Sequence, residues 1–183
     1  QDGERLNHYD SPHYQRTVEI QSRSSDGMAI EERYKREAEF ALDAARKNGL
    51  ELTKQDRILD LACGIGGHAH EMAEKTGWTI DARDISKTLI SRAQEREEQR
   101  RSLETDVRGK INFALGNFIK LPESVPPGAT YKLVTILGTS FIIGTDKSEY
   151  RKAAKDIYAL TAPGGKLIIQ WRQPKKPHNP EEQ

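Results

Sequence analysis

A short apolar run that ends in a glycine turn and opens into a helix confines this chain to few folds. Residues 58–69 read Ile-Leu-Asp-Leu-Ala-Cys-Gly-Ile-Gly-Gly-His-Ala. The run suits a buried strand, and Gly64 and Gly66 supply a close backbone approach and positive φ where the chain turns. A helix expected from about Gly67 to Lys75 would point its N-terminal N–H groups and its positive dipole end at whatever lies over the turn. Asp60 stands four residues before Gly64 and Asp84 twenty after it. One strand–helix–strand unit therefore places a carboxylate on each side of the loop.

The rest of the chain repeats that alternation. Apolar residues Ile30, Tyr34, Ala38, Ala41, Leu42 and Ala45 recur at helical spacing, and Asn48-Gly49 is a stop signal. Strands are expected at residues 57–62, 78–85, 111–115, 132–137 and 166–171. The last crossover opens on Asp146 and Glu149, spaced as in a capping box, and carries Tyr150, Ala153, Ala154, Ile157 and Tyr158 on one face before Pro163-Gly-Gly165 ends it. Short strands joined by long crossovers imply a parallel sheet covered on both faces. Right-handed crossovers put a ligand at the carboxyl ends of the strands, near the switch in strand order.

Two nucleotide cofactors could use such a loop. Gly64, Gly66 and Ala69 satisfy G-x-G-x-x-G/A, and Asp84 lies where a ribose-binding acid is expected, which is a weak match to a dinucleotide site. Asp60 tips the balance. A carboxylate at the end of the first strand is badly placed beside a pyrophosphate but suits an ammonium or a sulfonium, and S-adenosylmethionine has both.

Composition sets bounds. With 183 residues, 35% hydrophobic, the chain is most economically one domain. A net charge of +1 gives no field that calls for nucleic acid or an anionic membrane. The one cysteine excludes an internal disulfide and leaves no zinc spacing, so no metal is expected. No run approaches the roughly twenty apolar residues of a membrane helix, and the start lacks a signal-peptide pattern. A cytoplasmic protein is the expectation.

Five segments in order carry a family resemblance: Ile58-Leu-Asp-Leu-Ala-Cys-Gly-Ile-Gly, Asp84-Ile-Ser, Phe113-Ala-Leu-Gly-Asn-Phe, Leu133-Val-Thr-Ile-Leu-Gly and Pro163-Gly-Gly-Lys-Leu-Ile-Ile. Over residues 57–171 the chain resembles the class I S-adenosylmethionine-dependent methyltransferases. Leu137-Gly-Thr-Ser-Phe and Gln170-Trp-Arg172 bring it closest to the glycine/sarcosine N-methyltransferase branch, whose counterparts are Leu-Gly-Asn-Ser-Phe and a His-Arg pair after the fifth strand. The resemblance implies an α/β, Rossmann-like, doubly wound and mostly parallel sheet. The family's C-terminal antiparallel hairpin has no counterpart after Trp171, where Pro174-Lys-Lys-Pro-His-Asn-Pro180 follows. A trimmed chain is the favoured explanation, and an edge covered by a partner the other.

Site residues follow from the resemblance. Arg33 matches the arginine that pairs with the cofactor's methionine carboxylate, Asp60 and Ala62 lie near its methionine end, and Gly64 and Gly66 form the loop beneath it. Asp84 and Ile85 serve the ribose, and Asn117 and Phe118 the adenine. Leu137 and Gly138 bring backbone to the transferable methyl. Tyr14 matches an arm tyrosine that closes over the sulfonium, Thr139 faces the acceptor, and Arg172 matches the arginine that holds an amino-acid acceptor's carboxylate. His68 reads as a surface or capping histidine, and the mixed charges of residues 92–101 as a solvated face.

The expected organisation is an N-terminal arm or lid over residues 1–28, a cofactor-binding domain over 29–173, and a tail or truncated linker over 174–183. The expected chemistry is attack by an acceptor lone pair on the sulfonium methyl, leaving S-adenosylhomocysteine, with no covalent nucleophile. An oxygen acceptor would want a general base that this chain does not plainly offer, which favours a small amine, an amino acid or a related metabolite. An O-methyltransferase, a protein or RNA methyltransferase, and a silent adenosyl- or NAD-binding module are the alternatives. A homo-oligomer is compatible with the sequence.

Overall fold

The computed structural model describes residues 29–53, 55–103, 106–138 and 146–170. Tyr14, Thr139 and Arg172 lie outside them. Five strands form one sheet: β1 (Arg57–Leu61), β2 (Thr79–Asp84), β3 (Lys110–Leu115), β4 (Tyr131–Ile136) and β5 (Thr161–Ile169). Every neighbouring pair is parallel, in the order β3-β2-β1-β4-β5. Chain order reverses beside β1, between its neighbours β2 and β4, so the crevice for a ligand opens over the carboxyl ends of β1 and β4.

Helices α1 (Ile30–Lys47), α2 (Gly67–Thr76) and α3 (Lys87–Leu103) cover one face. There Leu42, Met72 and Ile90 pack with Ile58, Ile80, Ile111 and Leu133 of the sheet. A 3-10 helix (Phe118–Glu123) and α4 (Lys147–Leu160) cover the other, where Leu121 and Ile157 meet Leu59, Leu61, Val134 and Ile136. Successive strand residues face opposite sides, so Ile58 and Leu59 of β1 belong to different cores. The central strands β1 and β4 are mostly apolar because both of their faces are covered.

Helix ends follow the local signals. Beyond Asn48, the Gly49 N–H reaches the Arg46 carbonyl at 2.9 Å and the Leu50 N–H the Ala45 carbonyl at 3.0 Å, a Schellman closure with Leu50 buried. Asp146 and Glu149 make the reciprocal capping box. On α4, however, only Ala153 and Ile157 are buried, and Tyr158 is 82% exposed. The apolar face expected there is wider than what the sheet covers. Pro163-Gly-Gly165 ends no helix either: α4 stops at Leu160, and these residues lie within β5 as a register shift against β4.

Residues 92–101 form a largely solvated face, with Arg92, Gln94, Glu95, Glu98 and Gln99 exposed, but one charge on it departs from that expectation. Glu97 is buried, with Arg100 Nε at 3.0 Å, Arg101 Nε at 2.6 Å and His70 Nδ1 at 3.3 Å, and Arg100 also meets Glu74. A helix-surface pattern cannot show that a neighbouring helix supplies a histidine to one of its charges. At the amino ends of the strands, buried Asp81 accepts from Arg57 (2.7 Å), Asn112 (2.9 Å) and Tyr131 (2.7 Å). Burial opposes its ionisation, but those three donors prevail and hold its pKa below the ordinary carboxylate value. That one carboxylate ties β1, β2, β3 and β4 together at the end away from the crevice.

Candidate cofactor site

Between β1 and α2 the chain reverses in five residues, 62–66, three of them with positive φ: Ala62 (56°), Gly64 (56°) and Gly66 (80°). A Cβ on Gly66 would fall 2.4 Å from the Phe113 ring, whereas one on Gly64 would meet nothing within 4 Å. Gly66 is thus needed for packing beneath the loop, and Gly64 leaves room above it. Ala62 holds a conformation that costs an L-residue roughly 1–2 kcal/mol. Ala62→Gly should therefore raise folding stability by about 0.5–1 kcal/mol, net of glycine's greater chain entropy, as read by urea unfolding.

Asp84 organises the turn. Its Oδ2 accepts from the Gly64 N–H at 2.8 Å and its Oδ1 from the Ser86 N–H at 2.9 Å. Each carboxylate oxygen has a further lone pair, so ribose hydroxyls can still be accepted. Ile85, half-buried, sits between Asp84 and Ser86, whose Oγ accepts from the Leu89 N–H at 3.2 Å.

Asp60 is 1% exposed. Its Oδ1 accepts from Thr135 Oγ1 on the adjacent strand at 2.7 Å, and its Oδ2, equally buried, has no partner among the described residues. Burial, with Asp84 adding to it and His68 and Thr135 opposing, pushes its pKa up to about 6. A buried carboxylate oxygen aimed at no donor is an uncompensated acceptor that a cationic ligand would complete. Burial, then Asp84 and Asp60, push the Cys63 thiol well up, so it stays neutral beneath the loop.

Arg33 lies on α1 one turn before Glu37, 5.9 Å over the Tyr34 ring, with its Nε buried and unpartnered among the described residues. It fits an anionic group. Asn117 departs from expectation in part: its Oδ1 caps the 3-10 helix by accepting from the Ile119 N–H at 2.9 Å. The amide Nδ2 remains to donate to a ring nitrogen, while the carbonyl already serves the turn. Phe118 follows, half-buried against the second core. Leu137 is buried at the end of β4, and Gly138 beside it is exposed.

His68 is not a surface residue. It is 6% exposed, with Nε2 2.7 Å from Glu37 Oε2 and its ring edge-on to Tyr34 at 4.8 Å. Sequence reasoning also missed Glu37 and Gln170 Nε2, which meet at 2.9 Å. The i, i+4 spacing of Arg33 and Glu37 was the available signal, masked by the charges around it.

Arg33, Asp60, Ala62, Gly64, Gly66, Asp84, Ile85, Asn117, Phe118, Leu137 and Gly138 all fall at the carboxyl ends of the strands or on α1 above them. No helix among the described residues is long and apolar enough to cross a membrane.

Comparison with known proteins agrees with this arrangement. The family model described as "Methyltransferase domain" matches residues 58–165, more than half of the chain. Glycine N-methyltransferase of Rattus norvegicus is 32% identical over 120 residues, 63% of this chain, and the match spans 40% of that relative. An S-adenosylmethionine-dependent methyltransferase from Clostridium acetobutylicum superposes with a TM-score of 0.63 at 21% identity, covering 85% of this chain and 56% of that one. A sugar N-methyltransferase from Streptoalloteichus sp. gives 0.60 at 19% identity, over 85% and 53%. Sheet order, loop and motif match together make this chain a member of the class I S-adenosylmethionine-dependent methyltransferase family, near its glycine/sarcosine branch.

Proposed function

We propose that this chain carries the S-adenosylmethionine-binding part of an enzyme that methylates the nitrogen of a small amine, an amino acid or a related metabolite. The observation that carries the reading is Asp60, a buried carboxylate with one oxygen on Thr135 and the other without a partner among the described residues, at the mouth of the β1–α2 turn. That oxygen complements an ammonium. When bound, S-adenosylmethionine supplies a methyl group already activated on a sulfonium.

The residues of this chain orient and enclose. Asp60 Oδ2 accepts from the ammonium, Arg33 donates to the carboxylate, Asp84 accepts from the ribose, and Asn117 Nδ2 donates to the adenine ring. Leu137 and α1 keep water from the sulfonium. Alignment and exclusion of water are worth roughly 7–11 kcal/mol in such transfers. Nitrogen as acceptor is supported by the glycine N-methyltransferase relative. From sequence, residues 29–173 are assigned to this domain and residues 1–28 to an arm over it, with Tyr14, Thr139 and Arg172 on the acceptor side. A cytoplasmic enzyme is part of the same proposal.

Calorimetric titration tests the cofactor. S-adenosylmethionine and S-adenosylhomocysteine are expected to bind and NAD not to, and binding of NAD alone would reverse the assignment. Arg33→Ala should weaken S-adenosylhomocysteine about tenfold, the lower end of a charge-assisted contact. Product detection by mass spectrometry with glycine and sarcosine tests the acceptor.

A further inference from the structure

An incomplete ring of polar contacts at the mouth of the crevice joins Gly138 to three side chains that have no part in the cofactor assignments. The Gly138 N–H donates to Gln170 Oε1 at 2.9 Å, Gln170 Nε2 donates to Glu37 Oε1 at 2.9 Å, and Glu37 Oε2 lies 2.7 Å from His68 Nε2. His68 stands at the far end of the series, with its Cε1 3.7 Å from where a Cβ on Gly138 would lie. Four residues far apart in sequence, from α1, the first turn of α2 and the ends of β4 and β5, meet around one carboxylate.

The carboxylate sets every direction in that ring. Burial raises the Glu37 pKa, yet the hydrogen bonds from His68 and Gln170 outweigh burial and the net shift is downward. Ionised, Glu37 only accepts, so both neighbours must donate to it. Gln170 then offers its amide nitrogen to Glu37 and its carbonyl oxygen to Gly138, and His68 carries its proton on Nε2. Reversing any one of these dipoles would leave a half-buried polar group unpaired.

The ring also spans both halves of the crevice. Tyr34, on the same helix as Glu37, fills the space over Gly67, where a Cβ would lie 2.2 Å from its ring, and so seats α1 on the start of α2. Arg33 precedes Glu37 by one turn, and His68 opens α2 directly after the turn that follows Asp60. A ligand between Arg33 and Asp60 therefore bears on α1 and on His68, and Glu37 links both to the Gly138 peptide.

We infer that Glu37 is a positioning residue for methyl transfer: by bridging His68 and Gln170 it sets the Gly138 peptide at the end of β4, and it does so more firmly when the adenosyl cofactor is bound. The inference rests on the proposed function. Its test is amide hydrogen exchange at Gly138, followed by NMR with and without S-adenosylhomocysteine, with thermal melts confirming that each variant folds. In the wild type the ligand should slow exchange at Gly138 about tenfold, because the peptide opens less often. Glu37→Ala should bind S-adenosylhomocysteine within about threefold of wild type and lose that slowing. Gln170→Ala, which removes the same link from the more exposed side, should do likewise. Glu37→Gln should restore most of it, since its amide can accept from Gln170 and donate to His68 in the other tautomer.

Slowing that survives in Glu37→Ala or Gln170→Ala would overturn the inference. So would a loss of ligand affinity beyond about tenfold in Glu37→Ala, which would mean that Glu37 acts on the cofactor itself. A wild-type protein that binds no S-adenosylhomocysteine would instead sink the proposed function, and this inference with it.

Discussion

Asp84→Ala is expected to weaken S-adenosylhomocysteine binding about 100-fold and to lower folding stability by about 2 kcal/mol. The two effects have one source. The carboxylate accepts from the Gly64 and Ser86 N–H groups, and it is the group proposed to accept from the ribose. Alanine leaves two backbone donors without an acceptor at a site where the side chain is buried, at a cost of about 1–3 kcal/mol each unless water replaces it. Losing charge-assisted acceptance of the ribose accounts for the affinity. Calorimetry reads one effect and urea unfolding the other. A folded variant with unchanged affinity would remove Asp84 from the site and leave it only the turn.

Asp60→Asn is expected to expose a pH dependence that the native protein conceals. With its pKa raised from the ordinary 3.8 to about 6, Asp60 binds a proton more readily in the folded than in the unfolded chain. Its contribution to stability is present below about pH 4 and is lost as pH rises through about 6, roughly 3 kcal/mol at 1.36 kcal/mol per unit.

His70 does the opposite. Burial is the main cause of its fall from 6.5 to about 4, with Glu97 opposing and Arg96, Arg100 and Arg101 assisting. Its contribution is present above pH 6.5 and is lost, by roughly the same amount, as pH falls through about 4. The two slopes oppose each other across one window. In Asp60→Asn only the histidine slope remains, so stability should climb by about 3 kcal/mol from pH 4 to 6.5, while the wild type stays nearly level. At pH 7.5 the variant should be more stable than wild type, because an amide is buried at less cost than a carboxylate, and should bind S-adenosylhomocysteine more than tenfold less tightly. Urea unfolding between pH 4 and 7.5 checks this, and equal slopes in the two proteins would refute it.

Much of the fold was legible because local signals and burial agree. Gly49 and the Asp146–Glu149 box ended and began helices as their neighbours require, and the five apolar runs became strands within a residue or so at most ends. Legibility failed where a partner comes from elsewhere in the chain. Pro163-Gly-Gly165 reads as a helix stop, and only pairing with β4 turns it into an irregular stretch of strand. Tyr158 reads as core and is exposed, because Ile157 and Leu160 turn toward the sheet and Tyr158 lies at the margin of that narrower face.

The same division runs through the site. Glycine spacing and the flanking acids located the turn, since positive φ and a carboxylate at a strand end are requirements met within a few residues. Asn117 shows the limit: its residue type suits both capping and base recognition, and only the neighbouring Ile119 N–H shows that the carbonyl is engaged.

The sequence by itself determined the alternating α/β order, the cofactor turn and the carboxylates beside it, because backbone torsion and strand periodicity are properties of neighbouring residues. Tertiary structure alone decided that Asp60 has one oxygen unpaired among the described residues, that His68 is buried on Glu37, and that Glu97 is an interior charge. Burial and hydrogen-bond partnership depend on groups tens of residues away, and no local pattern encodes which of them will arrive.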